Sequence, residues 1–203
     1  MLQRIRRLLG PLRDRGDGSP HHPPERTPEE LIEQYRQLRQ LKGRYGIMSE
    51  SLLGLIQDAL EEILPVESIL DYGCGNSRTV DWLAKINDIN GFRYDPAIPE
   101  YSRLPVAKAD VVINTDVLEH VLECDLDHVL AEIRSISDRV YFHIATQPAN
   151  SILPNGDNAH CTVRPAEWWQ KKLAYYFGEA RELPAKYKKR CAFVTWPAPR
   201  KES

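Results

Sequence analysis

Three short patterns in the chain hold residue types able to do chemistry. Asp116, Glu119 and His120 form Asp-x-x-Glu-His. If the segment is one helical turn, the three side chains share a face. Such a set can accept a proton from a substrate hydroxyl or hydrogen-bond it, because an imidazole titrates near neutrality. Completed by a distant histidine, it could instead hold a divalent cation. His160 is the candidate distant partner, and His143 is a poorer one because it falls inside a strand. The reading adopted is acid-base: His160 or His120 acts as the base, with Asp116 beside it. A metal is not the expected occupant, and the identity of one stays open, since Mg²⁺ prefers oxygen ligands and Zn²⁺ wants more nitrogen or sulfur.

The second pattern is Gly73-Cys74-Gly75, preceded by Asp71. Glycine lets a backbone approach a ligand closely, and a helix start behind the loop offers free amides. The third is Asp95, at the end of the segment GFRYD and 20 residues beyond Gly75. A carboxylate there can accept both hydroxyls of a ribose.

These residues need a scaffold, and the apolar pattern supplies one. Val66 to Tyr72 reads as a short strand running into the glycine turn, and Val80, Leu83, Ala84 and Ile86 follow at helical spacing. Ala109 to Asn114 is near-continuously apolar, as a parallel strand buried on both faces should be. It delivers Asp116, Val117, Glu119 and His120 to its carboxyl end, where open α/β sheets place their ligands. A helix through Leu122, Leu126, Val129, Leu130 and Ile133 and a strand over Val140 to Ala145 come next. A polar, proline-broken loop then spans Thr146 to Pro165, where specificity is usually carried. Pro165 opens a helix to about Tyr176. Gly178 to Leu183 and Arg190 to Trp196 suit a terminal antiparallel pair, joined by a basic turn over Ala185 to Lys189. Upstream, Thr27-Pro28-Glu29-Glu30 carries the N-cap, first-turn proline and third-position glutamate of a helix start. That helix runs through Leu31, Tyr35, Leu38 and Leu41, and a second helix starts near Ser49 and stops at Pro65.

ILDYGCGN (Ile69 to Asn76) resembles the first motif of class I S-adenosylmethionine-dependent methyltransferases. YDP (Tyr94 to Pro96) resembles their second motif and ADVVINTDVLEHV (Ala109 to Val121) their fourth, in its ubiquinone-pathway-like form. The match spans Ser68 to Ala145 in order. A pyridine-nucleotide enzyme would show a third glycine where this chain has Arg78. Asn158-Ala159-His160 and Pro165-x-x-Trp168-Trp169, taken with TDVLEHV, also look like a group of short bacterial and phage methyltransferases. The resemblance implies a Rossmann-like three-layer α/β/α sandwich with a mostly parallel sheet. It implies S-adenosylmethionine as cofactor, with Gly73, Cys74 and Gly75 beside its methionine part. Asp71 would orient the loop or the amino group, Asp95 would hold the ribose, and Asp116 and Val117 would complete the site. In small-RNA 2′-O-methyltransferases and some ubiquinone-pathway relatives, similar acid-histidine clusters bind a divalent ion. Two departures stand out: Ser77 replaces the third glycine of the methyltransferase loop, and the stretch from Asp95 to Asp110 is too short and too proline-broken for the usual helix, third strand and adenine-contacting acid. The fold is therefore expected to be trimmed around its third strand.

The division expected is a basic tail and linker over 1–26, a helical cover over 27–64, a cofactor-binding core over 66–147, and a substrate loop with terminal strands over 148–203. Lys plus Arg number 27 against 29 Asp plus Glu, for a net charge of -2, which argues against nucleic acid as the main partner. No apolar run reaches the roughly 18 residues of a membrane span. The four cysteines lie far apart, against a zinc finger or disulfide scaffold. A cytoplasmic protein is expected. Met1 to Arg15 holds five arginines against one aspartate with leucines at helical spacing, a pattern able to rest on an anionic membrane surface. The acceptor expected is a hydroxyl on a small molecule, sugar or glycan. The alternatives are metal-dependent 2′-O-methylation of RNA and a cofactor-binding protein without catalysis. Tyr35 and Tyr45 are candidates to close over the cofactor, with interhelical packing the stronger reading. Trp168 and Trp169 point about 100° apart on a helix, so at most one could line an acceptor pocket.

Overall fold

Side-chain alternation along the strands sorts the molecule into layers. The computed structural model describes residues 26–43 and 46–199. The expectations for Met1 to Arg15 and for Tyr45 lie outside the described residues. In β1 (Ser68–Tyr72), Ile69 points to one face of the sheet, while Leu70 and Tyr72 point to the other. The same alternation divides β3 (Val111–Thr115) and β4 (Val140–Ala145): Val111, Ile113 and Tyr141 join the first face, and Val112, Phe142 and Ile144 the second. The first face packs against α2 (Leu53–Glu61) and α3 (Thr79–Asn87). The second is covered by α4 (Leu126–Ile136) and α5 (Ala166–Phe177). The result is the three-layer α/β/α arrangement expected.

Six strands form the sheet among the described residues, in the order β2-β1-β3-β4-β6-β5, with β2 at Asn90–Tyr94, β5 at Arg181–Leu183 and β6 at Arg190–Val194. The pairings β2·β1, β1·β3 and β3·β4 are parallel, and β6 runs antiparallel between β4 and β5. Among the described residues, no strand lies beyond β2. The third strand of the resemblance is thus lost altogether. In its place the chain after β2 makes a turn at Pro99–Tyr101 and returns directly to β3. Tyr101 folds back so that its carbonyl accepts the Asp95 amide at 3.0 Å.

The helical cover divides in two. α1 (Pro28–Leu41) starts where the capping residues put it: Thr27 accepts from the Glu30 amide, and the Glu30 carboxylate accepts from the Thr27 amide. Its buried Leu31 and Leu38 rest on Leu153 and Ala159 of the long loop, away from the sheet. α2, reached through a turn at Met48–Leu52, belongs to the outer layer of the sandwich. α4 begins later than its apolar spacing suggests, because two short turns occupy Leu118 to Asp125.

Candidate functional site

A cavity of about 720 Å³ opens at the carboxyl ends of β1, β2, β3 and β4, the position parallel α/β sheets reserve for ligands. α1 and the long loop close its other side. Gly73, Gly75, Asp95, Asp116, Val117, His120 and His160 all line it.

The glycine turn is tightly fitted. Gly73 has φ +88°, and a Cβ there would lie 2.3 Å from Val117 Cγ2. Gly75 has φ +53°, and its Cβ would lie 2.5 Å from the Gly46 carbonyl oxygen. Both positions therefore require glycine. The Gly73 and Cys74 amides donate to the Tyr94 carbonyl at 2.8 and 3.0 Å, tying the turn to the end of β2. Gly46, on the way from α1 to α2, accepts the Asn76 amide at 3.0 Å. Ser77, at the position of the missing third glycine, accepts from the Thr79 amide at the start of α3.

The acidic residues around this turn divide by position. The Asp95 carboxylate lines the cavity and accepts the Gly75 amide at 2.9 Å and the Ala97 amide at 2.8 Å. Burial holds it above the usual carboxylate range, against those two amides. Asp71 lies beneath the turn, fully buried, outside the cavity lining, and with both carboxylate oxygens unpartnered. Burial and then the nearby Asp95 charge push it up to about 7. Cys74 is also buried, outside the lining, and burial raises its thiol.

Asp116, Glu119 and His120 do not share a helical face. Asp116 follows β3 in a left-handed conformation, φ 56°, which turns its carboxylate to Arg190 and to within 3.5 Å of His143 Nδ1. Only Leu118–His120 forms a turn, a tight one. Glu119 is fully buried: its Oε1 accepts from the Ala145 amide at 2.9 Å and from Arg190 at 3.2 Å, while Oε2 has no partner. Burial raises it to about 8, against the backbone amides. His120 points the other way. Its Nδ1 lies 2.6 Å from the Ala159 carbonyl, and its ring packs edge-on against Tyr35 and His160 at 5.1 and 4.9 Å between centroids. The His160 Nδ1 lies 2.6 Å from the Gln147 carbonyl. A carbonyl only accepts, so both Nδ1 atoms carry the proton and both Nε2 lone pairs are left for a ligand. Burial, then the neighbouring His160, lowers His120 to about 4, and burial lowers His160 as well. Ligand atoms of Glu119, His120 and His160 lie within 4.8 Å of one another. Asp116 is not in that group. His143, buried in β4 with no hydrogen bond to either ring nitrogen, is not in it either.

The long loop brings His160 to the cavity by its own hydrogen bonds. The Asn158 side chain accepts from the Ala149 and His160 amides and donates to the Ala149 carbonyl, so one amide group staples both arms of the loop. Tyr35 lines the cavity and packs against the long loop, and its hydroxyl donates to the carbonyls of His120 and Ala159, latching α1 to the turn and the loop. Trp168 and Trp169 stay out of the cavity, Trp169 wholly in the core beside α4.

Two cavity residues escaped the sequence reading. Arg190 opens β6 opposite Ala145, a register that spacing does not reveal. Arg39 follows Tyr35 by one helical turn. A cation at that spacing in the otherwise apolar stripe Pro28, Leu31, Ile32 and Tyr35 was the signal for it.

No family model matches the chain, and no curated protein matches it in sequence. Solved structures do resemble it in fold. The Burkholderia thailandensis 1,6-didemethyltoxoflavin-N1-methyltransferase, with 1,6-didemethyltoxoflavin and S-adenosylhomocysteine bound, is similar at a TM-score of 0.57 and 13% identity, over 84% of this chain and 89% of that one. The methyltransferase domain of bacterial CtHen1 is similar at 0.54 and 17% identity, over 72% and 97%. The DhpI–SAH complex is similar at 0.52 and 14% identity, over 86% and 100%. The chain has the Rossmann-like fold of these methyltransferases.

Proposed function

We propose that this chain transfers the methyl group of S-adenosylmethionine to a hydroxyl of a small-molecule or sugar acceptor. One observation carries the reading: a glycine turn closed by Asp95 and a pair of imidazoles with free Nε2 atoms line the same cavity. The cavity volume lies within the roughly 300–1,000 Å³ of small-ligand sites. Gly73 and Gly75, whose missing Cβ atoms make way for Val117 and Gly46, let the turn pack tightly while both residues line the cavity. Asp95 keeps lone pairs beyond its two amide bonds for a ribose diol. Gly73, Gly75, Asp95, Asp116 and Val117 would hold the cofactor, with Asp71 and Cys74 shaping the turn from below.

When bound, S-adenosylmethionine supplies an electrophilic methyl group on a sulfonium. The chain's work is to align an acceptor oxygen with it and receive the proton. His160 fits that task. Its Nδ1–H is committed to Gln147, burial keeps the ring neutral at physiological pH, and Nε2 then accepts the hydroxyl proton and later releases it to water. His120, more deeply buried, packs against the His160 ring and limits its tilt.

A second reading has its own support. The neutral tautomers of His120 and His160 and the unpartnered Glu119 Oε2 would serve as donors to a divalent cation, which would hold the acceptor oxygen directly. The RNA form of this reading lacks support in the charge balance, and a binding protein without catalysis would need no base at His160.

Calorimetry with S-adenosylmethionine and S-adenosylhomocysteine, followed by transfer of labelled methyl groups to cell extracts, tests the proposal. His160→Ala should abolish turnover and leave cofactor affinity within about twofold. Turnover by the parent chain should fall only as pH drops through a midpoint below 6.5, the usual imidazole value. Unaltered turnover in His160→Ala removes it as base, and activity lost on chelation and restored by Mg²⁺ or Mn²⁺ favours the metal.

A further inference from the structure

We propose that Arg39 anchors a ligand carboxylate in the cavity, that of the amino-acid end of the methyl donor. The inference rests on the proposed function. Arg39 lines the cavity, and its NH1 is buried without a hydrogen-bond partner. A guanidinium does not shed its proton, so a buried nitrogen of this kind calls for an anion. Among the described residues, no carboxylate forms a salt bridge with it. The Asp95 carboxylate, which feels its charge, already accepts the Gly75 and Ala97 amides. Arg190, the other arginine of the cavity, is held by Asp116 and Glu119. Among the described residues, Arg39 is therefore the cavity's one arginine without an acidic partner of its own.

The ligand chemistry follows from what the site would hold. The hydroxyl of an acceptor carries no charge of its own, whereas the donor's amino-acid end always carries a carboxylate. The planar fork of an arginine matches that group with two parallel hydrogen bonds.

S-adenosylhomocysteine and its decarboxylated analogue, titrated calorimetrically into the full chain, read out the carboxylate alone. The parent chain should prefer the carboxylated ligand by about 10- to 100-fold, the range of charge-assisted hydrogen bonds. Arg39→Gln should reduce that preference to about twofold or less. If that variant fails to fold, Arg39→Lys keeps the charge but loses the fork, and the preference should still fall at least about threefold. A preference kept in full by the folded variants overturns the assignment, as does a variant in which only the acceptor KM rises. A parent chain that binds neither ligand overturns the methyl-transfer reading itself, and Arg39 with it.

Discussion

Replacing Asp71 with Asn should stabilise the ligand-free chain above neutral pH. The side chain is fully buried, both its oxygens lack partners, and burial moves its pKa from 3.8 to about 7. The folded chain thus keeps the Asp71 proton to a higher pH than the unfolded chain does. Between pH 4 and 7 unfolding releases that proton, so each rise in pH favours unfolding. At about 1.4 kcal/mol per tenfold change in proton affinity, the full penalty is about 4 kcal/mol above pH 8. At pH 5 about 1.5 kcal/mol of it is already present. Asn has the same shape but no charge to lose. Urea denaturation of the two chains at pH 5 and pH 8 should therefore show the gap moving in favour of Asp71→Asn by about 2–3 kcal/mol. Other titrating groups, Glu119 among them, are common to both chains and cancel. A gap that stays level or shrinks between the two pH values would refute the argument, and would mean that Asp71 is ionised and compensated in the folded chain.

Two further changes probe the site's framework. Gly73→Ala should destabilise by about 2–3 kcal/mol, from left-handed strain and the overlap with Val117. Adding Val117→Ala should recover part of this in thermal denaturation, and no recovery would place the cost elsewhere. Arg190→Met leaves Asp116 and Glu119 without their cation and should cost about 3–5 kcal/mol. A loss below about 1 kcal/mol in urea denaturation would show the pair to be neutralised already.

What the sequence made legible was local. Strand, glycine turn and helix follow one another over Ser68 to Asn87, and each is set by residues within a few positions of itself. The loss of the third strand was legible too, as a length too short to hold one. The geometry after β3 was not. A non-glycine residue in a left-handed conformation, Asp116, breaks the helical face that the spacing of 116, 119 and 120 suggests. Arg190 was hidden because only the β4–β6 register carries it to the acids. His160 was singled out by its residue type; the staple that holds it, Asn158, shows only once both arms of the loop are folded.

The missing strand has a consequence for how this chain keeps its own company. A parallel sheet can end at any strand without weakening its centre, but the last strand is left with an open row of amides and carbonyls. Here that strand is β2, five residues long. Short length is one defence against another copy adding itself there. A second is Arg93, whose guanidinium is drawn to Asp81 and Tyr101 and sets charge along the margin. Gly91, pressed against Ala84 and Val80 of α3, keeps the strand tucked beneath its helix. With β2 as the sheet's margin among the described residues, these features make that border a poor template for another strand.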